Sequence, residues 1–183
     1  MQAITQLNDL AFKAAKAMSN VQLNHIMQAL GPSFLVVIPL LVIYVLLRRD
    51  KNVFALVIAG ITLYIVSDAI KLIVREPRPC NVSELSWINH ITCESSFSFP
   101  SNHASVLTGL TLFINKYKYV RIAYIVWLVL VLFGRVYLGL HYLTDVLAGV
   151  TISIIISYAI YIEKDRLAKL GLKVFPFLKN WFR

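Results

Sequence analysis

The chain has 183 residues, of which 58% are hydrophobic and 15% are charged, and its mean hydropathy is +0.71. This composition excludes an ordinary soluble domain and a disordered chain, and it fits one domain whose solvent is the lipid bilayer. The formal net charge of +9 indicates no nucleic-acid partner, because most basic residues lie in short segments beside apolar runs.

The first predicted element is an amphipathic segment within residues 1–26. Apolar side chains recur there at helical spacing, while Asp9, Lys13 and Lys16 take the other face. Such a helix lies either in the membrane interface or against the outer rim of a helical bundle. No cleavable signal peptide is expected, because a basic start followed by a continuous apolar core is missing.

Five apolar segments follow, and each is a candidate transmembrane helix. A helix needs about 20 apolar residues to cross a hydrocarbon core of roughly 30 Å. Gly31 and Pro32 punctuate the start of the first segment, and the third segment is the shortest. We predict one all-α domain over residues 1–183, with an integral membrane bundle at 27–162 and spans at 27–47, 53–74, 101–115, 122–139 and 142–162.

The basic residues predict the orientation of this bundle. Twelve of the 18 lysines and arginines fall on one side of the predicted membrane, and the positive-inside rule makes that side cytoplasmic. Residues 163–183 are then a basic cytoplasmic tail of a multi-pass plasma-membrane protein. The twelve residues are Arg48, Arg49, Lys51, Lys116, Lys118, Arg121, Lys164, Arg166, Lys169, Lys173, Lys179 and Arg183.

Three polar segments lie at the opposite, external ends of the predicted helices. They are Lys71 to Pro79, Pro100 to His103, and Arg135 to Asp145. A charged side chain inside a membrane costs about 2.5–3.5 kcal/mol, so the cationic residues of these segments are expected to face the bundle interior.

Together the three segments resemble the type 2 phosphatidic acid phosphatase family, the membrane branch of the vanadium-haloperoxidase-like superfamily. The resemblance covers roughly residues 65–150. Asn102 stands where that family usually has glycine, and Gly134 stands where it usually has serine. The resemblance implies a membrane-bound lipid phosphatase that needs no metal ion or other cofactor.

The resemblance also implies a role for seven residues. His141 would attack phosphorus and form a phosphohistidine, Asp145 would orient it, and His103 would protonate the leaving group. Residues four apart lie on one helix face, which supports the pairing of His141 with Asp145. The implied phosphate ligands are three cations and one residue that is equally an ordinary helix N-cap: Lys71, Arg78, Arg135 and Ser101.

The expected substrate is a lipid phosphate, and among these a polyprenyl diphosphate such as the undecaprenyl or dolichyl carrier. Phosphatidate and phosphatidylglycerol phosphate are the alternative substrates. Transfer of the phosphate to an alcohol instead of water is a second reading. A non-enzymatic lipid-binding relative is a third, and it is disfavoured because none of the six cationic, histidine and aspartate positions is lost.

Several residues beside the motifs carry separate predictions. Asp68 shares a helix face with Lys71, and we predict a structural ion pair between them. Cys80 and Cys93 fall in the predicted external loop, where a disulfide and two reduced thiols are both compatible with the sequence. Gly139 offers a place for the chain to bend before His141.

Overall fold

The computed structural model describes residues 2–82 and 93–182, and within them the chain forms helices and turns without a β-strand. The predicted all-α class is therefore confirmed. The helices of the described part are α1 Gln2–Met18, α2 Val21–Leu30, α3 Phe34–Leu47, α4 Asn52–Val74, α5 Pro79–Val82, α6 Asn102–Leu110, α7 Lys118–Tyr137, α8 Leu143–Ile162 and α9 Lys164–Val174, followed by a short 3₁₀ turn at Pro176–Lys179.

Fewer helices can cross a membrane than the sequence predicted. By length and composition, the described residues provide three such spans, Asn52–Val82, Lys118–Tyr137 and Leu143–Ile162. The α2–α3 pair, bent by 46°, makes a fourth if it counts as one span. The bend falls at Gly31–Ser33, so the predicted first span is broken where Gly31 and Pro32 interrupt it.

The predicted third span, residues 101–115, does not form one continuous helix, although the chain still passes here from the side of His103 to the side of Asp50, with which Lys116 pairs at 2.7 Å. Helix α6 has nine residues and turns cover 111–116, and nine residues rise only about 14 Å, roughly half of the hydrocarbon thickness. The apolar side chains of this segment pack in the protein core and do not face lipid. Four of them are buried: Leu107, Leu110, Phe113 and Ile114. Composition alone does not separate a buried helix from a lipid-facing one.

The outer surface of the bundle is apolar, as lipid exposure requires. Helices α3, α4, α7 and α8 each present large aliphatic side chains outward, among them Leu35, Leu40, Ile61, Ile65, Leu72, Val126, Val129, Ile154 and Ile155. The interior between the same helices holds the main core, which includes Val45, Leu56, Leu107 and Val131.

Both terminal segments pack on the bundle. Helix α1 lies against α7 and α8, and the Asn8 side chain donates to Thr144 Oγ1 at 3.1 Å. Of the two predicted positions of the amphipathic segment, the membrane interface and the outer rim of the bundle, these contacts correspond to the second. Helix α9 packs under α4, where Gly171 lies against the ring of Phe54. The predicted basic tail is therefore a folded amphipathic helix.

A seam of small residues joins α6 and α8. A Cβ atom at Gly149 would lie 2.8 Å from both Ala104 Cβ and Ser101 O, and 3.1 Å from Ser105 N. Real Cβ atoms do not approach so closely, so the two helices touch backbone to backbone. This contact fixes the start of α6 relative to α8.

Replacing Gly149 with alanine is expected to weaken both the fold and the site. Overpacking of this kind typically costs about 1–3 kcal/mol, and backbone atoms cannot move aside without shifting α6. Gly60→Ala is the matched control, because its Cβ would meet only Leu110 Cδ2 at 3.7 Å. Thermal unfolding in detergent should show a lower midpoint for Gly149→Ala alone. Equal midpoints for both variants would refute the tight seam.

Candidate active site

Four helix ends meet at one side of the bundle, beside a pocket of about 400 Å³. The last turn of α4, the start of α6, the end of α7 and the start of α8 converge there. One part of the pocket wall is polar and the other is apolar. The lining includes Lys71, Asp68, Arg78, Glu94, Ser96, Asn102, His103 and His141, together with Phe34, Ile38, Tyr64, Val106 and Leu107.

His141 is held by a tight turn between α7 and α8. Gly139 has φ 62°, a conformation that glycine adopts without strain, so the predicted bend is present. The amides of Leu140 and His141 both donate to Arg135 O, at 3.0 and 3.2 Å. The turn thus ties His141 to the end of α7 and buries it with an exposure of 1%.

Asp145 and Ser98 lie on the Nδ1 side of the His141 ring. Nδ1 is 3.4 Å from Asp145 Oδ2 and 3.4 Å from Ser98 Oγ. The Ser98 hydroxyl also donates a short hydrogen bond to the same carboxylate oxygen, which accepts from the Tyr142 amide at 2.9 Å. A carboxylate on this side favours a proton on Nδ1. Ser98 was missed by the sequence analysis.

The opposite ring nitrogen of His141 faces Arg78. Arg78 Nη1 lies 3.1 Å from His141 Nε2, and since a guanidinium can only donate, Nε2 is the acceptor and carries a lone pair. Burial lowers the pKa of His141 well below its usual range, and the positive charges of Arg135, Arg78 and Lys71 lower it further. The imidazole is therefore neutral at physiological pH, which is the form that can attack phosphorus.

Arg78 is fixed in place by several acceptors. Its Nε donates to Ser96 O at 2.8 Å, its Nη1 donates to Leu140 O at 2.7 Å, and its Nη2 donates to Ser96 Oγ at 2.8 Å. The side chain is 1% exposed. The two remaining N–H donors of this guanidinium are directed to His141 Nε2 and to Glu94 Oε2.

Lys71 does not pair with Asp68, so the predicted ion pair between them is wrong. Lys71 Nζ donates to Phe97 O at 2.6 Å and to Ser98 O at 3.1 Å, across 26 residues of sequence. An ammonium has three donors, so one remains for a ligand. Asp68 lies in the pocket wall, and it makes no ion pair within the described part of the chain.

Ser101 is the N-cap of α6, which was one of its two predicted roles. Its Oγ accepts from the Ala104 amide at 3.4 Å, and its own amide donates to Asp145 O at 3.1 Å. Its side chain is fully buried. The Ser101 amide is therefore engaged within the protein, and a contact between Ser101 and phosphate stays a prediction. Amides of the first turn of α6 have no partner inside the helix.

His103 projects from that first turn into the pocket. Its ring packs edge-on against Phe34 at 4.8 Å between centroids, and its buried Nε2 has no hydrogen-bond partner among the described residues. The neighbouring Asn102 Oδ1 is also buried and unpaired in the same part of the chain. Two unsatisfied polar atoms at the pocket wall are typical of a site that awaits a polar ligand.

Arg135 reaches the pocket from α7 and meets an acidic residue there. Arg135 Nη2 makes a short ion pair with Glu94 Oε1, and Arg78 Nη2 lies 2.6 Å from Glu94 Oε2. One carboxylate thus bridges the two arginines. The preceding Gly134 faces elsewhere, because a Cβ there would lie 3.4 Å from Met27 Sδ on α2.

Glu94 was not predicted to belong to the site. Burial raises the pKa of Glu94, but Arg135 and Arg78 outweigh this effect and hold the pKa at about 2. Its position depends on a disulfide between Cys80 and Cys93, which joins the loop to α5. The available signal was that Glu94 is the sole acidic residue between Glu84 and Asp145.

Among the described residues, no three histidine, cysteine, aspartate or glutamate side chains cluster as a metal site. The site instead gathers three cations, two histidines and three carboxylates at the mouth of an apolar pocket. This arrangement defines a membrane-embedded helical protein with an anion-binding site.

The matched family model identifies that class. The model of the PAP2 superfamily matches residues 51–167, which is more than half of the chain. The protein therefore belongs to the PAP2 superfamily, and the resemblance seen in the sequence is confirmed.

Curated relatives match over shorter stretches. The chain is 28% identical over 115 residues to an undecaprenyl-diphosphatase of Sulfolobus acidocaldarius, covering 61% of this chain and 55% of that protein. It is 39% identical over 79 residues to phosphatidylglycerophosphatase B of Bacillus subtilis, covering 37% of this chain and 39% of that protein. The matches thus span about half or less of the length of these relatives.

Two crystal structures share the fold over most of the chain. The first transmembrane PAP2 type phosphatidylglycerolphosphate phosphatase from Bacillus subtilis has a TM-score of 0.70 and 25% identity, with coverage of 91% of this chain and 88% of that chain. LpxE of Aquifex aeolicus has a TM-score of 0.70 and 21% identity, with coverage of 82% and 92%.

Proposed function

We propose that the protein is a membrane lipid phosphatase that hydrolyses a polyprenyl diphosphate to the monophosphate and inorganic phosphate. One observation carries this proposal. The Arg78 guanidinium holds an anion with one arm and contacts His141 Nε2 with the other. A phosphate bound at this arginine therefore lies beside a neutral histidine nitrogen, which is the geometry that phosphoryl transfer to histidine requires.

The reaction proceeds in two displacements. Burial and the charge of Arg135 hold the pKa of His103 at about 3 in the resting protein, so His103 takes up its proton only when the negative charge of a bound phosphate raises that pKa. In the first displacement, the His141 Nε2 lone pair bonds to phosphorus while the bond from phosphorus to the leaving oxygen breaks and the protonated His103 donates its proton to that oxygen. In the second, a water oxygen attacks the phosphohistidine, the phosphorus–nitrogen bond breaks, and His103 accepts the proton of that water. Lys71, Arg78 and Arg135 neutralise the phosphate oxygens in both steps. Asp145, supported by Ser98, keeps the proton of His141 on Nδ1.

The apolar part of the pocket favours a lipid substrate. Phe34 and Ile38 on α3 and Tyr64 on α4 continue the wall of the pocket from the phosphate site toward the lipid-facing surface. A long hydrocarbon chain would remain in the bilayer, and only its first carbons would contact these residues. The proposed substrate choice draws on the Sulfolobus relative named undecaprenyl-diphosphatase.

Phosphatidylglycerol phosphate is the second candidate substrate. Its support is the 39% identity to phosphatidylglycerophosphatase B over 79 residues and the fold shared with a phosphatidylglycerolphosphate phosphatase. Both substrates present a terminal phosphate on a lipid, so the same cations would bind either one.

A substrate panel tests the proposal. Purified protein in detergent should release phosphate from undecaprenyl diphosphate with a higher kcat/KM than from phosphatidylglycerol phosphate or phosphatidate. A diphosphate loses the weakly basic lipid phosphate, which needs less protonation than a lipid alkoxide. Equal or faster hydrolysis of phosphatidylglycerol phosphate would make that lipid the preferred substrate in place of the polyprenyl diphosphate. A phosphorylated alcohol among the products would indicate that the phosphate is transferred to an alcohol instead of water. No phosphate release from any of the three would reject the phosphatase reading.

The proposed orientation places the site outside the cell and the C-terminal helix in the cytoplasm. Its basis is the clustering of basic residues on the side of α9. Ser95→Cys and Lys179→Cys, each in a Cys80→Ser/Cys93→Ser background, place single thiols at exposed positions on the two sides. In intact cells an impermeant thiol reagent should label the first variant only, and both after solubilisation. Labelling of Lys179→Cys in intact cells would invert the topology.

A further inference from the structure

The carboxylate of Glu94 lies where the phosphate of a substrate is expected. Its two oxygens contact Arg78 Nη2 and Arg135 Nη2, one oxygen on each arginine. Both arginines are almost fully buried, with exposures of 1% and 5%. Phosphate oxygens would use the same two donors, because a planar guanidinium binds carboxylate and phosphate in the same way.

Glu94 and a substrate phosphate cannot share this position. The carboxylate remains ionised throughout the neutral pH range, and two anions at contact distance repel each other strongly in a site of low dielectric constant. The two arginines would also have to divide their donors between two ligands. Binding of phosphate therefore requires Glu94 to leave.

Glu94 is the partner that can move. Its side chain is 44% exposed, so water already reaches the carboxylate. Arg78, in contrast, is anchored by Ser96 and Leu140. The disulfide of the preceding residue, Cys93, ties the loop to α5 and keeps the displaced carboxylate close to the site. A tethered ligand of this kind acts at a high effective concentration.

We infer that Glu94 is an internal competitor for the phosphate site: its carboxylate occupies the anion position between Arg78 and Arg135 in the resting protein, gives way to a substrate phosphate, and returns as the product phosphate leaves. This inference rests on the proposed phosphatase function. The competition would make the site selective among anions, because an anion that binds the two arginines weakly does not displace the Glu94 carboxylate.

The test compares Glu94→Gln with the wild-type protein in binding inorganic phosphate, by calorimetric titration in detergent. Glutamine keeps the size of the side chain and removes the competing charge. If the resting site is open in about one molecule in ten, removing the competitor should tighten the apparent Kd of phosphate about tenfold. Glu163→Gln, the same change at the exposed start of α9, is the matched control and should leave the Kd unchanged.

Thermal unfolding provides a second measurement. Without phosphate, Glu94→Gln leaves two buried guanidinium groups without their anion and should unfold at a lower temperature. Added phosphate should raise the unfolding temperature of this variant more than that of the wild type. Glu94→Asp keeps the charge, but its shorter side chain does not reach both arginines. Glu94→Asp replaces Glu94→Gln in the binding experiment if the glutamine variant does not fold. Its Kd for phosphate should lie between the value of the wild type and the value, about tenfold lower, that is expected without the competitor.

An unchanged or weaker phosphate affinity in Glu94→Gln, or in Glu94→Asp if that variant is used, would overturn the inference and make Glu94 a structural counter-ion. Failure of phosphate to bind any of the proteins would also overturn it, since the arginine pair would not be an anion site. The two proposals fail separately. Tighter phosphate binding without hydrolysis of any lipid phosphate would reject the phosphatase only, whereas unchanged binding in an active enzyme would reject the competitor only.

Discussion

Replacing His141 with alanine is expected to abolish turnover of every phosphate substrate, with a loss of about 10⁴-fold or more. Among the described residues the pocket holds one other histidine, His103, but Nε2 of His141 is the nitrogen beside the anion-binding arm of Arg78. The covalent intermediate should disappear together with turnover. Quenching in alkaline detergent after mixing with a ³²P-labelled substrate would preserve and measure the phosphoenzyme, because phosphohistidine is stable in alkali, and loss of the label on acid treatment would identify histidine as its site.

His25→Ala is the control for the His141 experiment. His25 lies exposed on α2, away from the pocket lining, so its replacement should preserve both turnover and labelling. Because His141 is buried, a His141→Gln variant and a thermal midpoint should accompany the alanine variant to exclude unfolding. A labelled phosphoenzyme that persists in folded His141→Ala would show that another residue is the nucleophile.

Replacing His103 with alanine is expected to reduce activity according to the leaving group. A lipid alkoxide is a strong base and needs a proton, whereas the phosphate leaving from a diphosphate and p-nitrophenolate are weaker bases. General acid catalysis contributes about 10²–10⁴-fold, so the loss should be greatest for phosphatidate, smaller for undecaprenyl diphosphate and smallest for p-nitrophenyl phosphate. The measurement is kcat/KM for the three substrates in His103→Ala and wild-type protein.

A structural role for His103 would give a different pattern. Its ring packs against Phe34 at 4.8 Å, so removing the ring also removes a packing contact. Phe34→Leu is the matched control, because it weakens the same contact and leaves the imidazole in place. Equal losses for all three substrates, in both variants, would show that His103 supports the pocket and does not protonate the leaving group.

The sequence was sufficient to locate most of the candidate site. The three polar segments lie at helix ends. His141 and Asp145 are four residues apart, and helix periodicity places these two residues on one face. The structure brings Lys71, Arg78, His103 and His141 to a single pocket, with Arg135 reaching its edge. Local spacing is enough here because successive helices run in opposite directions, so the ends that carry the polar segments lie on the same side of the bundle.

Contacts across long sequence distances were not predictable in the same way. Lys71 was assigned to Asp68, which is on its own helix, but its partners are carbonyl oxygens 26 and 27 residues away. Glu94 and Ser98 reach the site from a loop, and a loop position follows from tertiary packing and not from periodicity. The chemistry of the missed residues was visible in the sequence, but their location was not.

The prediction of one continuous transmembrane helix over residues 101–115 was wrong for a related reason. Residues 101–115 are as apolar as a lipid-facing helix, and a hydropathy pattern does not state what surrounds a segment. In the fold, α6 is enclosed by α4, α7 and α8, so its apolar residues fill the centre of the bundle. The same enclosure explains why a helix of nine residues is stable there.

The small-residue seam between α6 and α8 fixes two of the reacting residues by direct contact between helix backbones. His103 and Asp145 belong to helices whose backbones touch at Gly149, so the reaction geometry is set by the scaffold. Phe34, Ile38 and Tyr64, which form the apolar wall, belong to α3 and α4. Redesign of lipid preference can therefore begin at Ile38 and Tyr64, because Phe34 packs on the ring of His103 and Lys71 of α4 belongs to the phosphate site.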